Sequence, residues 1–414
     1  MQLEEFVKQN RNADVAALAL RMRQFPELDA AFALQQIEGW QKASQKLPEL
    51  AAIEGWRWPK RLAFEQCSSE TTARYKQSVL ASGGILLDLT GGLGVDTYYL
   101  SALFDEAHYV ERQPELCELA KHNFALTRRN ITVHNTTAED FLANWTNELN
   151  KPDKTNITIF LDPARRDTHG GKVFRLADCE PNILKLLTIF RTCAKRILLK
   201  LSPMLDITEA VRELGGAAEI HVVAVRNEVK ELLVLLEEER NSLDPLITCV
   251  NLETDDPEFS FRRSEENHIG PISPNSLISP ISPICPIGPI CLVEPNAAIL
   301  KAGAFKLFAQ RFGLKKLSEN TQLYARESQG SSEPVRKIVP NSSIPGRVFN
   351  VHPASKEELK ELTQANIICR NFPLSPEALK KKLKLKDGGE TYLIAARIGT
   401  KPTIFLGSRQ FLHI

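Results

Sequence analysis

Ile85-Leu86-Leu87-Asp88-Leu89-Thr90-Gly91-Gly92-Leu93-Gly94-Val95-Asp96 reads as a buried strand that breaks into a glycine turn and then opens a helix. An apolar run ending in an acid and followed by small residues lets backbone approach a ligand closely, because no Cβ stands in the way. The turn alone does not choose a ligand, since dehydrogenases, flavoproteins and purely structural strand-to-helix turns use the same device. The continuation narrows the choice. A helix over Thr97 to Phe104 leads to a second apolar run, Ala107-His108-Tyr109-Val110, which ends in Glu111. An acid about twenty residues beyond the glycines can hold a ribose diol, as nucleotide-binding folds require.

Two features favour S-adenosylmethionine over a dinucleotide. Asp88 stands ahead of the turn, where a dinucleotide fingerprint would begin with glycine, and a carboxylate there suits an amino-acid ammonium, through water or backbone, better than a pyrophosphate. The fourth apolar run ends Ile159-Phe160-Leu161-Asp162-Pro163-Ala164-Arg165-Arg166-Asp167. An open α/β sheet presents its reactive edge at that end of a strand, and hydride transfer has no particular need of such a motif.

On these residues the chain resembles class I S-adenosylmethionine-dependent methyltransferases. The resemblance implies cofactor contacts from Asp88, Thr90, Gly91, Gly92, Gly94 and Asp96 in the loop, and from Glu111 and Arg112 at the ribose corner. It also places Glu139, Asp140 and Phe141, in Thr137-Ala138-Glu139-Asp140-Phe141, where the superfamily contacts adenine. The order of elements resembles the RNA-modifying branch, cap-guanine methyltransferases included. Their Pro-Glu-x-x-Ala segment ahead of the loop has a counterpart in Ser68-Ser69-Glu70-Thr71-Thr72-Ala73. A bacterial group with a THUMP-like C-terminal domain is more similar still, on Phe64-Glu65-Gln66-Cys67-Ser68-Ser69-Glu70, the Asp-Pro-Ala-Arg motif, Lys230-Glu231-Leu232-Leu233, Glu294-Pro295-Asn296-Ala297-Ala298-Ile299 and the tail. THUMP-type modules bind RNA in other modification enzymes, so the resemblance implies an RNA-docking tail; an α+β appendage that only covers an apolar face is the alternative.

At 414 residues the chain exceeds one ordinary core, and about three or four modules are expected. An apolar fraction of 43% and a charged fraction of 25% are those of soluble globular protein. No apolar run reaches the ~20 residues of a membrane span, and the start lacks the basic stretch of a secretory signal, which predicts a cytoplasmic protein. Eight scattered cysteines form neither a Cys-x-x-Cys pair nor a Cys/His cluster, so reduced thiols and no metal are expected. The 52 basic and 51 acidic residues leave a net charge of +1. Nucleic-acid binding would therefore rest on local patches: Arg165 with Arg166, or Lys380, Lys381, Lys382, Lys384 and Lys386, for which a solvated helix face is the other reading.

The predicted fold class is α/β. Residues 1–75 show helical spacing, with Val15, Leu18, Leu20 and Met22 in one stretch and Phe32, Leu34, Ile37 and Trp40 in the next. Residues 76–245 alternate apolar runs with helical segments, predicting a doubly wound, Rossmann-like sheet of seven strands. Residues 264–290 carry prolines at a density that excludes sheet and helix interiors and read as a linker or loop. Residues 291–365 suit a ferredoxin-like α+β domain, with one helix over Ala297 to Phe312, and residues 366–414 the THUMP-like domain.

Enzymes that methylate exocyclic amines carry Asp/Asn/Ser-Pro-Pro-aromatic; Asp162 and Pro163 fit that pattern, whereas Ala164 and Arg165 do not. A guanidinium can replace the ring by stacking on a base or clamping phosphate. Asp-Pro-x-Arg also resembles uracil C5 methyltransferases, but Ser202 stands where their cysteine nucleophile would be, which disfavours covalent chemistry. Asp162, Pro163 and Arg165 are thus the expected reaction corner, with Arg166, Lys200, Ser68 and Ser69 toward substrate. Each has a plainer reading: Asp162 capping a turn, Arg165 paired with a helix carboxylate, Lys200 snorkelling from its strand, and either serine capping the helix that follows. The expected activity is methyl transfer to an RNA base nitrogen. A noncatalytic RNA-binding protein, or an enzyme acting on protein or a small molecule, are the alternatives.

Overall fold

Each of the seven apolar runs is a strand. In chain order these are β1 (Ile85–Asp88), β2 (Glu106–Glu111), β3 (Ile131–Asn135), β4 (Ile157–Leu161), then two short strands, β5 (Ala164–Arg165) and β6 (Cys179–Glu180), then β7 (Arg196–Leu201), β8 (Glu219–Val225) and β9 (Glu228–Glu237). The computed structural model describes residues 2–148, 153–165, 175–270, 290–326 and 343–409. It resolves into two units, Met1–Glu219 with Leu232–Leu243, and Ile220–Glu231 with Asp244–Ile414.

In the first unit the order is β9-β7-β4-β1-β2-β3. All neighbours are parallel except β9, which runs against β7. Strands covered on both faces must be apolar throughout, and Leu86, Leu87, Ile159, Phe160, Leu198 and Leu199 are each at most 2% exposed. The register sets Asp88 opposite both Tyr109 and Phe160, so the ends of β1, β2 and β4 come level at one edge.

The N-terminal region is helical as predicted, with its longest helix at Ala30–Lys46. Phe6, Leu18, Met22, Ala33 and Ile37 form its own core. Leu20 departs from the expected stripe and is 84% exposed, because a residue two positions from Leu18 and Met22 lies round the far side of a helix. A second cluster joins Trp56, Trp58 and Phe64 to Tyr98, Tyr99, Tyr109 and Phe124, seating the N-terminal helices on the segment that follows the glycine turn.

In the second unit β10 (Leu246–Leu252) and β11 (Phe259–Arg262) continue the order β11-β10-β8. A separate sheet holds β12 (Ile290–Pro295), β13 (Lys315–Ser318), β14 (Thr321–Arg326), β15 (Gly346–Pro353), β16 (Asn366–Arg370), β17 (Thr391–Ile398) and β18 (Lys401–Arg409), in the order β13-β14-β12-β15-β18-β17-β16. The two regions expected as separate modules thus share one sheet. The helix expected over Ala297 to Phe312 is two, Ala297–Ala302 and Phe305–Phe312, because Gly303 takes a left-handed φ of 74° and ends the first. Residues 264–268 of the proline-rich stretch belong to the helix Arg263–His268, and 271–289 lie outside the described residues. Among the described residues no helix is long and apolar enough to cross a membrane.

Candidate active site

The glycine turn is shaped by its neighbours. Gly91 N–H donates to Val110 O at 2.9 Å and Gly94 N–H to Gly91 O at 2.8 Å. A Cβ on Gly91 would sit 2.2 Å from the Tyr109 ring, and one on Gly94 2.7 Å from Phe124. Gly92 differs: its φ is 53°, it lines a cavity, and a Cβ there would meet no protein atom nearer than Thr90 O at 3.8 Å.

That cavity has a volume of about 740 Å³. Asp88, Thr90, Gly91, Gly92, Asp96, Glu111, Arg112 and Glu139 all line it, as do Ser68, Asp162 and Pro163. Glu111 accepts Gly92 N–H at 3.0 Å on one oxygen and Gln113 N–H at 2.9 Å on the other. Arg112 donates to Glu180 Oε1 at 2.9 Å, and Glu180 is placed at the cavity by the β5–β6 ladder.

Thr90 ties the turn to the reaction corner, because its hydroxyl accepts Asp162 N–H at 2.7 Å while its own N–H donates to Asp88 Oδ1 at 3.1 Å. The Asp162 carboxylate accepts from Lys200 Nζ, which also lies 4.0 Å from Asp96 Oδ2. Asp96 accepts the Ser68 hydroxyl at 2.7 Å and is 3.3 Å from the ammonium of Lys76. Burial opposes charge on Asp96, but Lys76 and then Lys200 outweigh it and hold the carboxyl below its ordinary value.

Residues 347–409 match the family described as THUMP domain-like, and 292–331 the family described as a ferredoxin-like domain. A structure from Porphyromonas gingivalis W83, solved as a candidate methyltransferase, shares 33% identity, with 99% of this chain and 98% of that one covered at a TM-score of 0.79. The chain belongs to the class I S-adenosylmethionine-dependent methyltransferases with a THUMP-like C-terminal domain. A Mycobacterium tuberculosis protein described as an uncharacterized S-adenosylmethionine-dependent methyltransferase, present in strains CDC 1551 and H37Rv, is 22% identical over 368 residues, 86% of this chain and 90% of the relative.

The residues of this methyltransferase fit S-adenosylmethionine. The cavity is within the ~300–1,000 Å³ of small-molecule sites. Gly92 leaves open space over the loop, and the lining carboxylates suit a ligand that carries a sulfonium and an ammonium. Glycine-loop backbone and Glu111 would hold it, and it would supply an electrophilic methyl group. No group of three His, Cys, Asp or Glu side chains among the described residues could hold a metal.

Some expected residues are elsewhere. Asp140 is exposed outside the cavity lining, and its N–H donates to the Thr137 hydroxyl while its carboxylate accepts from it, a helix start. Phe141 is buried against His134 and Trp145. Ser69 caps the helix Glu70–Val79, whereas Ser68 faces Asp96, so the two serines divide the cap and wall readings between them. Gly94 packs on Phe124 behind the loop. Arg166 and the side chain of Arg165 lie outside the described residues. Lys76 went unmarked in the sequence; its only local signal is a lysine on the face of Ala73, a buried helix position.

Asp88 holds the turn, accepting from the Thr97 hydroxyl at 2.5 Å as well as from Thr90. Burial pushes its carboxyl up to about 7, against the hydrogen bonds of Thr97 and Thr90 that favour the charged form. A raised acid contributes stability that is full below its ordinary value of 3.8 and lost as pH rises through about 7. Asp88→Asn keeps an acceptor for the turn and removes this titration. Its unfolding free energy in urea should gain on the wild type between pH 5 and pH 8, on the order of 2 kcal/mol. A wild-type-to-variant difference that stays constant across that window would refute the assignment.

Proposed function

We propose that this methyltransferase modifies RNA at a base nitrogen by direct in-line transfer, in the cytoplasm. The observation that carries the reading is Asp162-Pro163 at the end of β4, opening on the same cavity as the glycine loop. Asp162 is held by the Thr90 hydroxyl and by Lys200, so its carboxylate is fixed where an N–H of the acceptor can be received. The nitrogen lone pair forms the new N–C bond as the S–C bond breaks, and the displaced proton passes to Asp162 or water. Most of the acceleration comes from alignment at about 3–3.5 Å and exclusion of water, with no metal or covalent step needed. Arg165 and Arg166 are assigned to an anionic substrate, and Ser68 to the wall beside it.

For RNA, support comes from the THUMP-like region, whose Lys381, Lys382, Lys384 and Lys386 are exposed. For the cytoplasm, it comes from the cysteines, which are free thiols wherever described. The test is incubation with S-adenosylmethionine and total RNA from cells lacking the protein, followed by mass spectrometry of digested nucleosides. A nucleoside methylated on a base nitrogen is the expected product. Methyl groups found on ribose, on a base carbon, or only on protein would overturn the reading.

A further inference from the structure

Lys200 lies between two acids and can serve only one of them closely: it donates to Asp162 and is 4.0 Å from Asp96. Which acid it serves depends on how well Asp96 is neutralised by others. Lys76 does that from the helix Glu70–Val79. Its side chain is 0% exposed, its ammonium donates to Ser68 Oγ at 3.2 Å, and it lies 3.3 Å from Asp96 Oδ1. The second oxygen of Asp96 is taken by the Ser68 hydroxyl. Ser68 and Lys76 reach Asp96 because the cluster of Trp56, Trp58 and Phe64 packs their segment against Tyr98 and Tyr99.

We propose that Lys76 is a positioning residue for the reaction corner: by neutralising Asp96, it commits Lys200 to Asp162. The inference rests on the reading of the cavity as the cofactor site. One buried cation, Lys76, and one partly buried cation, Lys200, match two acids, and a buried carboxylate left without a partner draws the nearest remaining cation. Without Lys76 that cation is Lys200. Asp162, whose side chain is 36% exposed at the cavity, would then carry an uncompensated charge. The helix Glu70–Val79 thereby takes part in the active site by setting the ion-pair partner of Asp162.

S-adenosylmethionine and S-adenosylhomocysteine differ by a methyl group and one positive charge, so the ratio of their affinities reads the charge in the cavity. In the full-length Lys76→Met variant, calorimetry should show that ratio rising about three- to tenfold in favour of S-adenosylmethionine, the coupling range of residues in one ion-pair network. Lys76→Arg should keep the wild-type ratio, and adding Asp96→Asn to Lys76→Met should restore it. In an Asp162→Asn background the Lys76→Met effect should fall within about twofold, because the charge it unmasks is gone. A rise of equal size in that background would be loss of the Lys76 charge alone and would overturn the proposal, as would equal weakening of both ligands. Should Lys76→Met not fold, Lys76→Gln, which keeps a donor toward Ser68 without the charge, should give the same rise in the ratio and the same loss of effect in the Asp162→Asn background. A wild-type protein that binds neither ligand would instead overturn the cofactor reading of the cavity.

Discussion

A Gly92→Trp variant is expected to fold and yet to lose S-adenosylmethionine binding in calorimetry, by at least about a hundredfold. The left-handed φ of 53° costs a side chain on the order of 1–2 kcal/mol. A Cβ there meets no protein atom nearer than 3.8 Å, so the indole has the cavity to occupy and the core is left alone. Gly91→Ala is the contrasting case. Its Cβ would lie 2.2 Å from a Tyr109 ring that is 0% exposed, packs on Phe124 and donates its hydroxyl to Gly92 O. Overpacking of that kind costs about 1–3 kcal/mol or more, so Gly91→Ala should lower the melting temperature and weaken binding together. Wild-type affinity in a folded Gly92→Trp protein would mean that the cofactor does not lie over this loop.

Asp162→Asn should do the reverse, keeping cofactor affinity within a few-fold while single-turnover methyl incorporation into RNA falls by about 10² to 10⁴, the usual worth of a positioned acid or base. The backbone bond from Asp162 N–H to Thr90 survives the substitution, and Lys200 retains Asp96 within reach, so neither the turn nor a buried charge is abandoned. Unchanged incorporation would remove Asp162 from the chemistry. Equal losses in binding and turnover would make it a cofactor ligand instead.

Much of this site was legible in order along the chain. β1, the turn and β4 are local patterns: an apolar run can be buried on both faces of a parallel sheet, and Gly92 and Gly94 mark left-handed backbone that a side chain resists. Asp88, Glu111 and Asp162 end strands, and parallel pairing brings strand ends to one edge, so their meeting at a cavity followed from topology. The reach of individual side chains was harder to read. Asp140 and Phe141 adjoin Glu139 in sequence, yet a helix turns about 100° per residue, so only Glu139 reaches the cavity.

By itself the sequence determined the strands, the glycine loop and the acids at the strand ends, because each depends on residues within a few positions of itself. The tertiary structure alone decided that two C-terminal regions share one sheet, that Ser68 and not Ser69 faces the cavity, and that Lys76 joins Asp96 and Lys200. Strand pairing across long loops and the sharing of charge among buried groups depend on distances between segments remote in the chain. No local pattern carries those distances, since a lysine in a helix reads the same whether its ammonium meets water or a buried carboxylate.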